Sequence, residues 1–274
     1  MCGIVGFIGD RKAAPILFEG LERLEYRGYD SAGIAALDQG AITTSKTTGR
    51  IKMLREKTEN GAAIPGTLGI GHTRWATHGA PSERNAHPHV SNDKKFAVVH
   101  NGIIENYISL KEELIKNGYV FESETDTEVV VHLLSYYYKG DLLDAIVKAT
   151  KRLEGSYALG IICSNEPDVM FAVKRSSPLI LGVGNGENFI ASDVTALISH
   201  TKTVMYLEDG EIAEIKKSGI KVFDKSGSPV QKSTTQITWN IDAAEKSGYD
   251  HFMMKEIMEQ PRAVRATLEP RIKN

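Results

Sequence analysis

A chain of 274 residues with 41 % apolar and 25 % charged residues has the makeup of an ordinary folded protein, long enough for one large core or two small ones. Its formal net charge of −2 excludes the strongly basic balance that nucleic acid or an anionic membrane surface would need, and no apolar run reaches the length of a membrane span. Two cysteines, Cys2 and Cys163, exclude a disulfide framework and fit a reducing cytoplasm, and the short apolar start lacks the basic lead of a secretion signal.

The stretch from Met1 to Gly9 predicts a short apolar strand with a thiol at its head. If Met1 is removed, Cys2 carries a weak nucleophile and a free α-amine on one residue, and an adjacent amine is a base that can activate a thiol. The unperturbed pKa values lie close together, about 8.5 and about 7.7–8.0. Many chains also begin with a frayed Met, and a Cys behind it carries no chemistry by itself.

Ala13 to Tyr26 reads as a helix with Leu17, Leu21 and Leu24 on one face and Gly28 as its C-cap glycine. A strand follows over Tyr29 to Leu37, then a small helix over Ile51 to Glu59 closed by Asn60-Gly61. Strands are expected over Thr67 to Thr73 and Phe96 to Ile104, each delivering polar residues at its far end. Tyr107, Leu110 and Leu114 mark a helix ended by Asn117-Gly118, and Thr125-Asp126-Thr127-Glu128 suggests the N-cap of another. One more follows Asp141, with Leu142, Ile146, Ala149 and Leu153 in step.

From Ser156 the period changes to two, and short runs at 169–174, 179–183, 188–192, 203–207, 211–215 and 219–223 alternate with turn signals, Asp209-Gly210 reading as a hairpin. Antiparallel strands with segregated helices predict an α+β fold, sheets face to face with helices outside. No linker divides residues 1–240, which read as one domain. Within 241–274, Gly248 to Gln260 predicts a helix stopped by Pro261, and Thr267 to Asn274 trails off as the start of a linker.

Four polar clusters carry candidate chemistry. Glu25-Tyr26-Arg27-Gly28-Tyr29-Asp30-Ser31-Ala32-Gly33 is a dense turn in which an Arg–Asp pair is also a purely structural solution. Gly71-His72-Thr73-Arg74-Trp75-Ala76-Thr77-His78-Gly79 offers no helical metal pair and no CxxC, which argues against zinc. Arg74 with Thr77 and His78 suits a carboxylate, unless Arg74 is simply satisfied at a packed strand end. In His100-Asn101-Gly102 a side-chain amide and an unobstructed glycine N–H can form a two-donor oxyanion hole. Asn-Gly is more often a turn, but Ile103-Ile104 continue the apolar run and fit a hairpin tip poorly. In Glu124-Thr125-Asp126-Thr127-Glu128, Asp126 is either a helix cap or a carboxylate for a substrate ammonium. Cys163 reads as a core thiol; His87, His89 and His200 have no assigned part.

These clusters, in this order behind Cys2-Gly3-Ile4-Val5-Gly6, resemble the class II glutamine amidotransferases, a branch of the N-terminal nucleophile hydrolases. Within that family the first two clusters, with Asp250 to Pro261, are most similar to members whose glutaminase half precedes a sugar isomerase half. The resemblance covers essentially the whole chain. It implies a four-layer αββα sandwich of two antiparallel sheets, with Cys2 as nucleophile and its amine as base. It further implies Asn101 and Gly102 as oxyanion donors, Arg74, Thr77 and His78 on the glutamine α-carboxylate, Asp126 on the α-ammonium, and Trp75 and Arg27 along the route by which ammonia leaves. L-glutamine would be hydrolysed to glutamate and ammonia through a Cys2 thioester, with no cofactor and no metal. The implied partner is the sugar isomerase domain of the same full-length chain, which lies beyond these residues, in a cytoplasmic homodimer. The rival readings are an N-terminal nucleophile amidase of other specificity and a catalytically silent docking or regulatory domain.

Overall fold

The computed structural model describes residues 2–76, 79–238 and 248–272, and of Arg27, Phe252 and Pro270 the backbone only. It divides into two compact units, Met1–Ile237 and Thr238–Asn274.

In chain order the first unit comprises β1 (Gly3–Ile8), α1 (Ala13–Leu24), β2 (Ser31–Asp38), β3 (Ala41–Thr48), α2 (Ile51–Lys57), β4 (Leu68–Arg74), β5 (His89–Val90), β6 (Phe96–Ile104), α3 (Tyr107–Lys116), α4 (Glu128–Tyr137) and α5 (Leu142–Thr150). Strands then dominate: β7 (Gly155–Cys163), β8 (Met170–Arg175), β9 (Ile180–Val183), β10 (Asn188–Ala191), β11 (Thr203–Tyr206), β12 (Ile212–Lys216), β13 (Gly219–Phe223), β14 (Pro229–Val230) and β15 (Thr235–Gln236). They form two antiparallel sheets, ordered β15-β11-β9-β10-β1-β4-β2-β3 and β14-β13-β12-β8-β7-β6-β5.

Strict alternation along the central strands sorts the apolar residues into three layers. β1 sends Ile4 and Ile8 inward and β6 sends Ala97 and Val99 to meet them, so the middle core lies between the sheets. Val5 and Phe7 point the other way, against Leu17, Phe18 and Leu21 of α1 and Ile51 and Leu54 of α2. Phe96 and Val98 face outward on the second sheet, under Leu110 and Leu114 of α3, Val130 and Leu134 of α4 and Ile146 of α5. Each such side chain contributes about 1.5–3 kcal/mol by leaving water, and the layering is the αββα sandwich.

Three local readings are corrected and one strand is added. β3 lies on Thr-rich sequence that presents no apolar face, because it is the edge strand of its sheet. Asp209-Gly210 is not a hairpin, since β11 and β12 belong to different sheets. Its carboxylate holds Ser176 N–H at 2.8 Å and Gly210 N–H donates to Lys174 O at 2.7 Å, bracing the crossing. Asp126 does not cap α4; its Oδ2 accepts the Ile104 N–H of β6 at 2.8 Å. Finally α6 (Phe252–Ile272), in the second unit, runs through Pro261. A helical φ suits proline, and the loss of one N–H donor leaves the other turns bonded. Among the described residues no helix is long and apolar enough to cross a membrane.

Candidate active site

Antiparallel pairing of β1 with β4 sets Gly3 opposite Thr73, so the residue before β1 meets the end of β4. There the Trp75 N–H donates to Cys2 Sγ at 3.2 Å, and the thiol faces Trp75 O at 3.5 Å. Burial pushes the Cys2 thiol above its ordinary value, and the Trp75 N–H and the Arg74 charge only partly counter it. The sulfur therefore rests as a thiol and needs a base to attack.

The second sheet supplies the facing wall. Asn101 of β6 donates from Nδ2 to Cys2 O at 3.1 Å, which joins residues 99 positions apart. Gly102 follows at φ +130°, and a Cβ there would stand 2.0 Å from Ser156 O of β7. Only glycine fits, and strand β6 continues through it to Ile104, so the Asn-Gly pair is not a turn tip.

Cys2, Asn101, Gly102, Arg74, Trp75 and Asp126 line one cavity of about 400 Å³. Arg74 and Asp126 are 3 % and 5 % exposed, so a buried cation and a buried anion share a space the size of a small zwitterion. Arg74 Nη2 donates to Gly79 O at 3.1 Å, and Asp126 spends one oxygen on Ile104. Trp75 is 56 % exposed and its indole lies over Gly28, where a Cβ would come within 2.5 Å of the ring. The Glu25–Gly33 cluster acts as a brace: Asp30 accepts the Ala76 N–H and the Ser31 hydroxyl, and its own N–H donates to Arg74 O at 2.9 Å. Thr77 and His78 lie outside the described residues, as does the Arg27 side chain.

Sequence reasoning gave part of the lining no role: His87, Ser177 and Pro178 also face this cavity, as do His100, Thr125 and Thr127 from within the candidate clusters. The available signal was four histidines, His72, His87, His89 and His100, each in or beside apolar sequence where a titratable ring needs a partner. All four are buried. Among the described residues no group of three His, Cys, Asp or Glu is placed to hold a metal ion.

A family model described as a glutamine amidotransferase domain matches residues 72–199. The glutamine–fructose-6-phosphate aminotransferase (isomerizing) of Caldanaerobacter subterraneus is 57 % identical over 274 residues, all of this chain and 45 % of that protein. The same enzyme of Clostridium tetani is 56 % identical over 99 % of this chain and 45 % of its own length. The chain matches the glutamine amidotransferase domain of these relatives. Among solved structures, glutamine phosphoribosylpyrophosphate amidotransferase from B. subtilis, complexed with ADP and GMP, superposes with a TM-score of 0.72 at 30 % identity, covering 83 % of this chain and 50 % of that one. The amidotransferase domain thus has the N-terminal nucleophile hydrolase fold that its motifs imply. It spans 45 % of the length of these curated relatives and matches their N-terminal half.

Proposed function

We propose that this domain hydrolyses L-glutamine to glutamate and ammonia, with Cys2 as nucleophile once Met1 is removed. The reading is carried by one observation: the Cys2 sulfur and the Asn101 amide border the same cavity as the buried Arg74–Asp126 pair. A free amino acid enters with its α-carboxylate on Arg74, Thr77 and His78 and its α-ammonium on the second oxygen of Asp126. Its side-chain carbonyl then lies against Asn101 Nδ2 and the Gly102 N–H.

The Cys2 α-amine takes the thiol proton as sulfur bonds to the amide carbon. Charge develops on the oxygen that Asn101 and Gly102 cradle; one such donor is worth about 2.7–4 kcal/mol of barrier. The tetrahedral centre collapses, the C–N bond breaks, and the ammonium of Cys2 returns its proton to the departing ammonia. Water, deprotonated by the same amine, then cleaves the thioester to glutamate. With Met1 retained that nitrogen is an amide, which is no base, so unprocessed protein is inactive.

For the whole enzyme we infer that ammonia passes Trp75 and Arg27 to a sugar isomerase half, where fructose 6-phosphate becomes glucosamine 6-phosphate for amino sugar synthesis. The frame is a cytoplasmic homodimer, with residues 1–240 the glutaminase domain and 241–274 the passage to the isomerase half. The activity for which the relatives are named and their more than doubled length support this. The test is glutamate release by Met1-free protein, its mass verified, with and without Cys2→Ala. Release that depends on Cys2 and favours glutamine over asparagine is expected. Glutamine binding without release would instead indicate a silent docking domain, and asparagine turnover another amidase.

A further inference from the structure

Beneath Asn101 lies a closed chain of side-chain contacts. His72 Nε2 is 2.9 Å from Asn101 Oδ1 and 3.0 Å from His100 O. His72 Nδ1 is 3.2 Å from His87 Nδ1, His87 Nε2 is 2.8 Å from Thr127 Oγ1, and Thr127 Oγ1 is 2.8 Å from His100 Nδ1.

Donor and acceptor rules allow one assignment. The His100 carbonyl can only accept, so His72 Nε2 carries the proton and also donates to Asn101 Oδ1. A neutral His72 then offers a lone pair at Nδ1, which requires an N–H at His87 Nδ1. His87 Nε2 in turn accepts from the Thr127 hydroxyl, leaving that oxygen to accept from His100 Nδ1–H. Burial, partly offset by the bonds to Asn101 and His100, lowers His72 to about 3, and burial with the neighbouring rings holds His87 well below its ordinary value. Both are neutral, as the pattern demands.

The opposite Asn101 rotamer fails at both ends. Its NH2 would face the His72 N–H, and its oxygen would face Cys2 O, two donors at one end and two acceptors at the other. We propose that His72 is a positioning residue whose tautomer, fixed through His87, Thr127 and His100, locks the Asn101 amide so that its NH2 borders the reacting carbonyl. The proposal rests on the oxyanion reading of Asn101. On this reading the histidines of the cavity floor keep a two-fold amide in one orientation. Each contact passes a constraint, and no proton needs to move during turnover.

The tautomers are read directly from long-range ¹H–¹⁵N spectra of the imidazoles in Met1-free protein at neutral pH. Expected are Nε2–H for His72 and the less common Nδ1–H for His87 and His100; a charged His72, or Nδ1–H on it, overturns the proposal. Function is read from a double-mutant cycle with Asn101→Ala. His72→Phe should lower kcat for glutamate release at least about tenfold, bounded by the ~10²–10³-fold cost of removing the donor itself. KM should stay within about twofold, and in the Asn101→Ala background His72→Phe should add nothing further. Thr127→Val, isosteric and cutting the chain two links away, should show the same kcat-only, Asn101-dependent loss should His72→Phe fail to fold. An undiminished kcat in the folded variants, or equal losses in both backgrounds, overturns the relay while Asn101→Ala remains impaired. A fully active Asn101→Ala overturns the oxyanion reading and the proposal with it.

Discussion

Replacing Glu128 by Gln should loosen the loop that presents Asp126 and Thr127 to the cavity. The carboxylate sits at the first residue of α4 and is 4 % exposed. One oxygen accepts the Glu122 N–H at 2.8 Å, the other the Ser123 N–H at 2.7 Å and the Ser123 hydroxyl at 2.6 Å. Either orientation of a glutamine amide turns an NH2 toward one of those N–H groups. Leaving such a buried donor unpaired costs about 1–3 kcal/mol, and losing the charge assistance adds to it. The ionisation gives a second measure. Burial works against the charge, but the His132 ring 3.5 Å away and the hydrogen bonds from the Ser123 hydroxyl and the Glu122 and Ser123 backbone prevail and hold the carboxyl at about 2 instead of 4.5. A shift of that size corresponds to about 3 kcal/mol at neutral pH. The folded pKa is the depressed one, so this stability is complete above pH ~4.5 and drains away as pH falls toward 2. Urea unfolding should therefore separate wild type from Glu128→Gln by about 2–4 kcal/mol at pH 7, with the gap more than halved at pH 3. Equal midpoints at pH 7, or a gap that persists in acid, would refute the account.

Gly102→Ala must place a Cβ 2.0 Å from a strand carbonyl at φ +130°, so glutamate release should fall at least about a hundredfold, with a loss of roughly 1–3 kcal/mol in unfolding free energy; wild-type turnover would mean that β6 can shift freely. Asp126→Asn keeps an acceptor for the Ile104 N–H but loses the charge, so KM for glutamine should rise about tenfold or more while kcat changes little; unchanged KM would remove Asp126 from the ammonium site. In protein that retains Met1, burial holds the Cys2 thiol above its ordinary value, so iodoacetamide labelling followed by peptide mass spectrometry should accelerate about tenfold per pH unit from 6 to 8; a plateau below pH 8 would contradict it. Cys163, fully buried and pushed up to about 11, should stay unlabelled in the folded protein.

Where sequence and structure agree, one local cause suffices. β6 spans Phe96–Ile104 as its apolar run predicts, and α5 begins behind Asp141, whose side chain accepts the Asp144 N–H. Where they part, a distant segment decides. Nothing local tells β3 from a polar loop; its pairing with β2 does, through the turn at Gln39 and Gly40, both at positive φ. Asp209-Gly210 has hairpin chemistry, yet its neighbours enter different sheets, which only the packing of β12 on β8 determines. Asp126 stands where a cap is expected, but the Ile104 N–H at the end of β6 claims its carboxylate first. Of the cavity lining, Cys2, Arg74, Asn101 and Asp126 were legible as candidates because charge and amide chemistry mark them in short motifs. The histidine floor was not, because its meaning lies in contacts between β4, β6 and the residues before β5 and α4, which no spacing rule brings together.

On the proposed reading, the division of labour between the sheets explains how so short a motif at the head of the chain would work. β1 and β4 from one sheet bring Cys2, His72 and Arg74; β6 from the other brings His100, Asn101 and Gly102. Each set alone is a row of polar groups at a strand end, and neither could hold a tetrahedral oxygen. The middle core fixes their separation, since Ile4 lies two residues from Cys2 and Val99 two residues from Asn101, both fully buried between the sheets. A strand turns over every two residues, so the face that packs the core is the same face that, one period on, reaches the cavity. The spacing between Cys2 and the Asn101 amide is therefore set by apolar packing between the sheets, and on the proposed reading the polar network under Asn101 has only the orientation of one amide left to settle.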